Sequence, residues 1–173
     1  GAIRAIASQP TFDLNFFSQP FTTKQYDNLF LSSNLPLLSR AFSAYDPGST
    51  WKPVTAIAGM ESGKFPATKK LNTVPCITYG SHCFPEYNKR GFGLIGYEDA
   101  FRVSSNTFFY QIGVGVGSKA LYDAAIKLGF DNYTGIETLI DENKGLVGNE
   151  EWAKKGRGWG SPGETPWMVE DMA

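Results

Sequence analysis

Histidine is nearly missing from this sequence, at one in 173 residues, and cysteine is scarce at two. A single histidine leaves a serine–histidine–aspartate triad one possible base, His82, and no supporting motif surrounds it. Charge of neither sign is in excess. The 16 Lys and Arg against 17 Asp and Glu give a formal net charge of −1, which indicates neither a nucleic-acid-binding face nor a polyanionic tail. Apolar runs are short, and none approaches the roughly 20 residues needed to cross a bilayer. No signal-peptide pattern opens the chain, so an exported protein would carry its targeting segment outside this sequence. Internal repeats and low-complexity linkers are also absent.

What is present fits one globular domain or a large part of one, with 42% hydrophobic and 14% aromatic residues. Residues 2–8 alternate weakly and predict a strand ending at Gln9-Pro10. Residues 11–45 are rich in aromatics, Asn, Ser and Pro, with a short helix expected over 35–42. Residues 63–93 read as irregular and hold both cysteines. A long helix is expected from Tyr97 to about Gly117, broken near Ser104. A cleaner one follows over 118–128, capped by Ser118 and closed by Gly129. The stretch from Asn143 onward is Gly-rich and charged.

The residues that carry chemistry begin at Gly48-Ser49-Thr50-Trp51-Lys52-Pro53. Asp46-Pro47-Gly48 is a turn cluster, and Val54, Ile57, Ala58 and Met60 recur at helical spacing, so a helix should start near Ser49. Pro53 near the first turn removes an amide that has no helical partner. Residues i and i+3 are neighbours on a helix, which brings Lys52 within reach of the Ser49 hydroxyl. The helix dipole and burial both lower an amine's pKa there, and a neutral lysine beside a serine can take its proton. Trp51 should face away from this pair and be buried. Taken alone, the spacing reads as easily as an N-cap serine followed by a solvated lysine.

A second cluster lies at Ser104-Ser105-Asn106, between two apolar helical stretches. By themselves Ser104 and Asn106 read as a helix cap. Beside Ser49 and Lys52 they supply a second hydroxyl to relay a proton and an amide to hold a peptide carbonyl. Together these motifs resemble the penicillin-binding proteins, the serine D,D-transpeptidases that crosslink peptidoglycan. The class B, elongation-type branch, penicillin-binding protein 2, is similar over further stretches. These are Gly1-Ala2-Ile3 through Ser8-Gln9-Pro10-Thr11-Phe12-Asp13, the run from Tyr45 to Ala56, and Leu128-Gly129-Phe130 followed by Thr134-Gly135-Ile136.

The resemblance implies an α+β, β-lactamase-like domain, represented here mainly by its helices and the N-terminal strand, with most of the central antiparallel sheet missing. It implies that Ser49 attacks a D-Ala-D-Ala carbonyl and forms an acyl-enzyme. Lys52 would be the general base, Ser104 the proton relay to the leaving D-alanine, and Asn106 a hydrogen-bonding partner of the donor peptide. The Ser49 backbone amide would give half of an oxyanion hole. No cofactor is implied. The implied partners are a lipid-linked or polymerised peptidoglycan stem peptide, β-lactams, a glycosyltransferase and other cell-wall synthesis proteins, and no nucleic acid. The implied location is the bacterial inner membrane, with an anchored protein whose catalytic domain lies outside the cytoplasm. A β-lactamase and a β-lactam-sensing domain are the alternatives within the same fold, the first needing a deacylating carboxylate such as Glu61 or Glu137.

One family motif is absent, because the sequence contains neither Lys-Thr-Gly nor Lys-Ser-Gly; Lys144-Gly145 and Lys155-Gly156 lack the hydroxyl residue between them. The expectation is therefore a fragment of a transpeptidase domain, inactive or nearly so by itself, that exchanges elements with another copy or needs the rest of the domain. Cys76 and Cys83, with His82 between them, leave a disulfide, a zinc site completed by Glu86 or Asp99, and free thiols all open. Phe108, Phe109, Tyr110 and Ile112 read as core. Gly113, Gly115 and Gly117 resemble a phosphate loop only superficially, since no strand precedes them in the required pattern.

Overall fold

The computed structural model describes residues 2–79, 82–136, 142–149 and 151. Trp152, Trp159, Trp167, Glu137 and the Lys155-Gly156 pair lie outside them. The chain divides into two compact units, Gly1–Ala44 with Tyr133–Asn143, and Tyr45–Asn132 with Lys144–Ala173.

The first unit is built from short turns. A 3₁₀ turn over Leu14–Ser18 is capped by the Asp13 carboxylate, which accepts the Asn15 amide at 2.9 Å. Helix α1 (Thr23–Tyr26) starts with a reciprocal capping box between Thr22 and Gln25, then widens into a π turn over Asp27–Leu31. Two expectations fail in this unit. The strand predicted over 2–8 has no ladder partner among the described residues. Its end is held instead by a side chain, with Ser8 Oγ accepting the Arg40 amide at 2.8 Å. The helix predicted over 35–42 is a series of turns, entered with Leu35 in the left-handed region at φ 45°. The Arg40 guanidinium donates to the carbonyls of Asn34 and Leu35, at 2.8 and 3.2 Å.

The second unit carries the longer helices. Gly48–Trp51 forms a 3₁₀ turn that runs directly into α2 (Lys52–Glu61). The segment expected to be irregular holds four short strands, β1 (Leu71–Thr73), β2 (Cys76–Tyr79), β3 (His82–Pro85) and β4 (Gly93–Ile95). Runs of three or four residues are too short for alternation to register in sequence. They pair as two antiparallel ribbons, β1 with β4 and β2 with β3. The long helix breaks as predicted into α3 (Tyr97–Arg102) and α4 (Asn106–Val116), followed by α5 (Ser118–Lys127). Gly117, at φ 83°, is the N-cap of α5, and Ser118 makes no capping bond. Gly129 closes α5 as expected, at φ 90°, with Gly129 and Phe130 amides bonded back to Ile126 and Ala125.

Helix α4 is apolar on most sides, and it is buried accordingly. Phe108, Phe109 and Ile112 are wholly inside and pack with Ala56 of α2 and with Tyr97 and Ala100 of α3, while Tyr110 meets Phe84 of β3. On the other side of α2, Trp51, Val54 and Ala58 pack against Leu121, Ala124 and Ala125 of α5. Trp51 is thus buried, as its position between Ser49 and Lys52 required. Of the three glycines that resemble a phosphate loop only superficially, Gly113 and Gly115 lie within α4, where a Cβ on Gly115 would lie 2.5 Å from the Phe65 ring, and Gly117 follows the helix.

The approach of α2 to α4 depends on Gly59, where a Cβ would stand 2.6 Å from Ile112 Cγ2 and 2.9 Å from Tyr97 Oη. Gly59→Ala should destabilise the unit by about 1–3 kcal/mol through overpacking, despite alanine's better helix propensity. A lowered urea midpoint at unchanged slope is the expected reading, and a raised midpoint would show that the helices have room to spare.

Candidate active site

Two chain segments far apart in sequence meet at one point. The first is the start of α2, where the 3₁₀ turn places Ser49 and Lys52 one turn apart and on the same side. Gly48 enters this turn at φ 50°, and the Pro47 carbonyl accepts both the amide and the hydroxyl of Thr50, at 3.1 and 2.6 Å. Ser49 is exposed, whereas Lys52 is only 2% exposed.

The second segment is the break between α3 and α4. Helix α3 ends with the amides of Ser104 and Ser105 bonded back to Phe101 and Ala100. That ending puts Ser104 in the left-handed region, at φ 53°, where glycine is the usual occupant. Serine costs more backbone strain there and keeps a hydroxyl. The cap of α4 is then Ser105, whose Oγ accepts the Phe108 amide at 3.2 Å. The sequence reading offered Ser104 and Asn106 as cap residues. Because Ser105 takes that task, the Ser104 hydroxyl and the Asn106 amide are left to point at Lys52.

The Lys52 amine donates three hydrogen bonds, to the Ser104 carbonyl at 2.7 Å, Ser104 Oγ at 3.0 Å and Asn106 Oδ1 at 2.8 Å. The Ser104 hydroxyl in turn donates to Ser49 Oγ at 3.1 Å. Sequence spacing led to a direct Lys52–Ser49 contact; the structure inserts Ser104 between them, since an ammonium has three donors and this turn offers three acceptors. The Phe109 ring lies 5.8 Å from the amine on the apolar side. Burial lowers the Lys52 pKa from 10.5 to about 8, against the opposing pull of the Glu86 charge. All four residues singled out from the sequence, Ser49, Lys52, Ser104 and Asn106, therefore form one connected hydrogen-bonded group.

Behind that group sits Glu86, fully buried and considered from sequence only as a zinc ligand. Its Oε2 accepts from Ser105 Oγ at 2.6 Å, Thr107 Oγ1 at 2.9 Å and the Thr107 amide at 3.1 Å. Its Oε1 accepts the amides of Asn106 at 2.8 Å and Tyr87 at 3.2 Å. Burial by itself would raise this carboxyl, but the donors from Ser105, Asn106 and Thr107 outweigh it and hold the group below the ordinary carboxylate value. No local pattern marks Glu86 in the sequence, because its partners on the α4 turn lie 19 to 21 residues away.

Cys76 and Cys83 are joined in a disulfide across β2 and β3, which corrects the zinc and free-thiol alternatives. Zinc would need both as thiolates. The other proposed ligand, Asp99, pairs with Arg102 at the surface, and among the described residues no three or more potential ligands gather.

The chain as a whole is similar to known proteins. A family model described as the penicillin binding protein transpeptidase domain matches residues 1–165. The peptidoglycan D,D-transpeptidase MrdA of Escherichia coli strain K12 is 30% identical over 158 residues, covering 90% of this chain and 25% of that relative. A crystal structure of Pseudomonas aeruginosa PBP2 in complex with WCK 5153 matches with a TM-score of 0.83 at 30% identity, covering 95% of this chain and 37% of that one. PBP2 of Helicobacter pylori in complex with MreC matches with a TM-score of 0.79 at 28% identity, covering 87% of this chain and 28% of that one. The chain spans a quarter of the length of its E. coli relative.

The Lys52 amine should titrate near pH 8, followed through its ε-carbon chemical shift, well below the 10.5 of an ordinary lysine. The unfolded chain keeps this proton up to the ordinary value while the folded chain releases it earlier. The contribution of Lys52 to stability therefore rises as pH climbs from about 8 towards 10.5. A midpoint near 10 would contradict the burial argument.

Proposed function

Since this chain belongs to the penicillin-binding protein transpeptidase family, we propose that the protein carrying it is a peptidoglycan D,D-transpeptidase working through an acyl-enzyme on Ser49. The observation that carries this reading is the buried Lys52 amine, hydrogen-bonded to a hydroxyl that is itself hydrogen-bonded to the exposed Ser49.

The chemistry follows that chain of contacts. The neutral Lys52 amine accepts a proton from Ser104 as Ser104 accepts one from Ser49, and Ser49 Oγ bonds to the carbonyl carbon of the penultimate D-alanine. The Ser49 amide at the helix start stabilises the developing oxyanion. The C–N bond then breaks, and the departing D-alanine takes the proton back from Lys52 through Ser104. An amine from a neighbouring stem peptide attacks the ester next, its proton leaving by the same route, and Ser49 is restored. Asn106 has one end of its amide on Lys52, so its NH₂ group is placed to donate to the donor peptide's carbonyl. β-Lactams present a strained amide to the same serine.

Among the described residues, the carboxylates near the site favour acylation without efficient hydrolysis. Glu86 is saturated with five donors and cannot activate a water, while Glu61 sits at the opposite end of α2 in a 2.6 Å pair with Lys127. That position is about 14 Å along the helix from the site, at 1.5 Å per residue. Of the two carboxylates considered for deacylation, this argues against Glu61, while Glu137 lies outside the described residues. The proposed place of work is outside the cytoplasmic membrane, where peptidoglycan is crosslinked, and because PBP2 of Helicobacter pylori forms a complex with MreC, a protein of that kind is a candidate partner.

In the whole protein, a fluorescent penicillin should label the wild type durably and Ser49→Ala not at all. Lys52→Ala should slow acylation by about 100- to 10,000-fold. Labelling of Ser49→Ala at the wild-type rate would overturn the reading, and rapid release of label would turn it to a β-lactamase. Crosslinking of lipid-linked substrate by the acylating protein separates a transpeptidase from a sensor. The 173-residue polypeptide by itself, lacking a Lys-Thr-Gly, should crosslink about 100-fold or more below the whole protein.

A further inference from the structure

We infer that Glu86 is a positioning residue of this site: its buried carboxylate anchors the first turn of α4, and through that turn sets where Ser104 and Asn106 hold the Lys52 amine. The inference rests on the reading of Ser49 and Lys52 given above.

The argument starts from the open N-terminus of a helix. The leading amides of α4 have no partner within the helix and need acceptors. Asn106 and Thr107 find them in Glu86, and Phe108 finds one in Ser105 Oγ, whose own proton goes to Glu86. A single carboxylate thus satisfies this turn directly and through its cap, and its charge faces the positive end of the helix dipole. Ser105 and Asn106 both carry a bond to Glu86 and both flank the atoms that bind Lys52. If this anchor moves, the Ser104 carbonyl and Asn106 Oδ1 move with it.

Glu86 also has attachments that do not involve α4. It directly follows β3, its amide donates to the Pro75 carbonyl at 2.8 Å, and the β2–β3 ribbon beneath it is closed by the Cys76–Cys83 disulfide. The anchor is therefore the disulfide-closed β2–β3 ribbon, and the anchored element is the turn bearing the reactive groups.

Glu86 also acts on Lys52 by charge, whereas Glu98 of α3 is exposed and acts by charge on Arg102, and the following groups of the packed elements pair elsewhere. Helix α4 carries no Asp, Glu, Lys or Arg. Asp99 of α3 pairs with Arg102, and on α5 Asp123 pairs with Lys119 and Lys127 with Glu61 of α2, all at the surface. Of the packed tyrosines, Tyr97 donates its hydroxyl to the Phe65 carbonyl and Tyr110 packs on Phe84. Glu86 raises the amine against the burial that lowers it.

The test compares Glu86→Gln and Glu86→Asp with the wild type in the whole protein. Two readouts are followed against pH, the Lys52 ε-carbon titration and the acylation rate by a fluorescent penicillin. Glu86→Gln removes the charge and one acceptor oxygen. It should move the Lys52 midpoint down by about half a unit or more, and lower the acylation plateau by about 10-fold. Glu86→Asp keeps the charge with a shorter reach, so the plateau should fall while the midpoint stays near that of the wild type. A purely structural residue would lower the plateau together with the folded fraction and leave the midpoint unmoved. A folded Glu86→Gln with the wild-type midpoint therefore overturns the inference. If Glu86→Gln does not fold, the pair Ser105→Ala and Thr107→Val removes both hydroxyl donors and leaves the carboxylate in place. A reduced plateau then supports the anchor, and a wild-type rate overturns it. Should the wild type itself fail to acylate, the functional reading falls, while the Lys52 titration still decides the role of Glu86.

Discussion

The structure around the site depends on placing an amine where water does not reach it and giving it three acceptors there. Lys52 is almost fully buried, yet each of its donors has a partner, all from the Ser104–Asn106 turn. Burying an unpaired ammonium would cost several kcal/mol, so α2 can carry this residue inward only if α4 begins at the right place. The same burial that endangers the fold brings the amine's proton within reach of neutral pH. Stability and chemistry thus bear on one set of contacts.

The rest of the unit keeps those contacts in register. Helix α2 is pressed against α4 at Gly59 and against α5 through Val54 and Ala58, which fixes the height and rotation of Lys52. Helix α4 is locked by Phe108, Phe109 and Ile112 on its core side, and its first turn is tied to the hairpin through Glu86. The left-handed Ser104 marks where local comfort yields to the site, since a glycine would relieve the backbone but remove the bridge between Lys52 and Ser49.

Much of this was legible in the sequence where the information is local. The Ser49–Lys52 spacing, the helix start after Pro47-Gly48, the break near Ser104 and the closing Gly129 all follow from turn and cap chemistry, and the α+β, penicillin-binding class followed from the order of the motifs. What could not be read is non-local. Nothing near Ser105 tells that it, and not Ser104, caps α4, because that depends on a carboxylate 19 residues earlier. The strands of residues 71–95 are too short to show a period, and the pairing of Cys76 with Cys83 became clear only when β2 and β3 faced each other. In the first unit, weak alternation over residues 2–8 and apolar spacing over 35–42 misled: the first stretch finds no ladder partner among the described residues, and the second is entered with Leu35 at φ 45° and turns without forming a helix. That the Lys52 amine meets Ser49 through Ser104 has a related reason: spacing along one helix says nothing of a second hydroxyl arriving from another segment.

The central claim is that proton release from Lys52 activates Ser49 through Ser104. It is tested most directly by measuring, on the same whole protein, the pH dependence of Ser49 acylation by penicillin and the titration of the Lys52 amine. The account predicts that the two curves share a midpoint near 8. An acylation rate that is flat across this range, or whose midpoint departs from the Lys52 titration by about a unit or more, would contradict it.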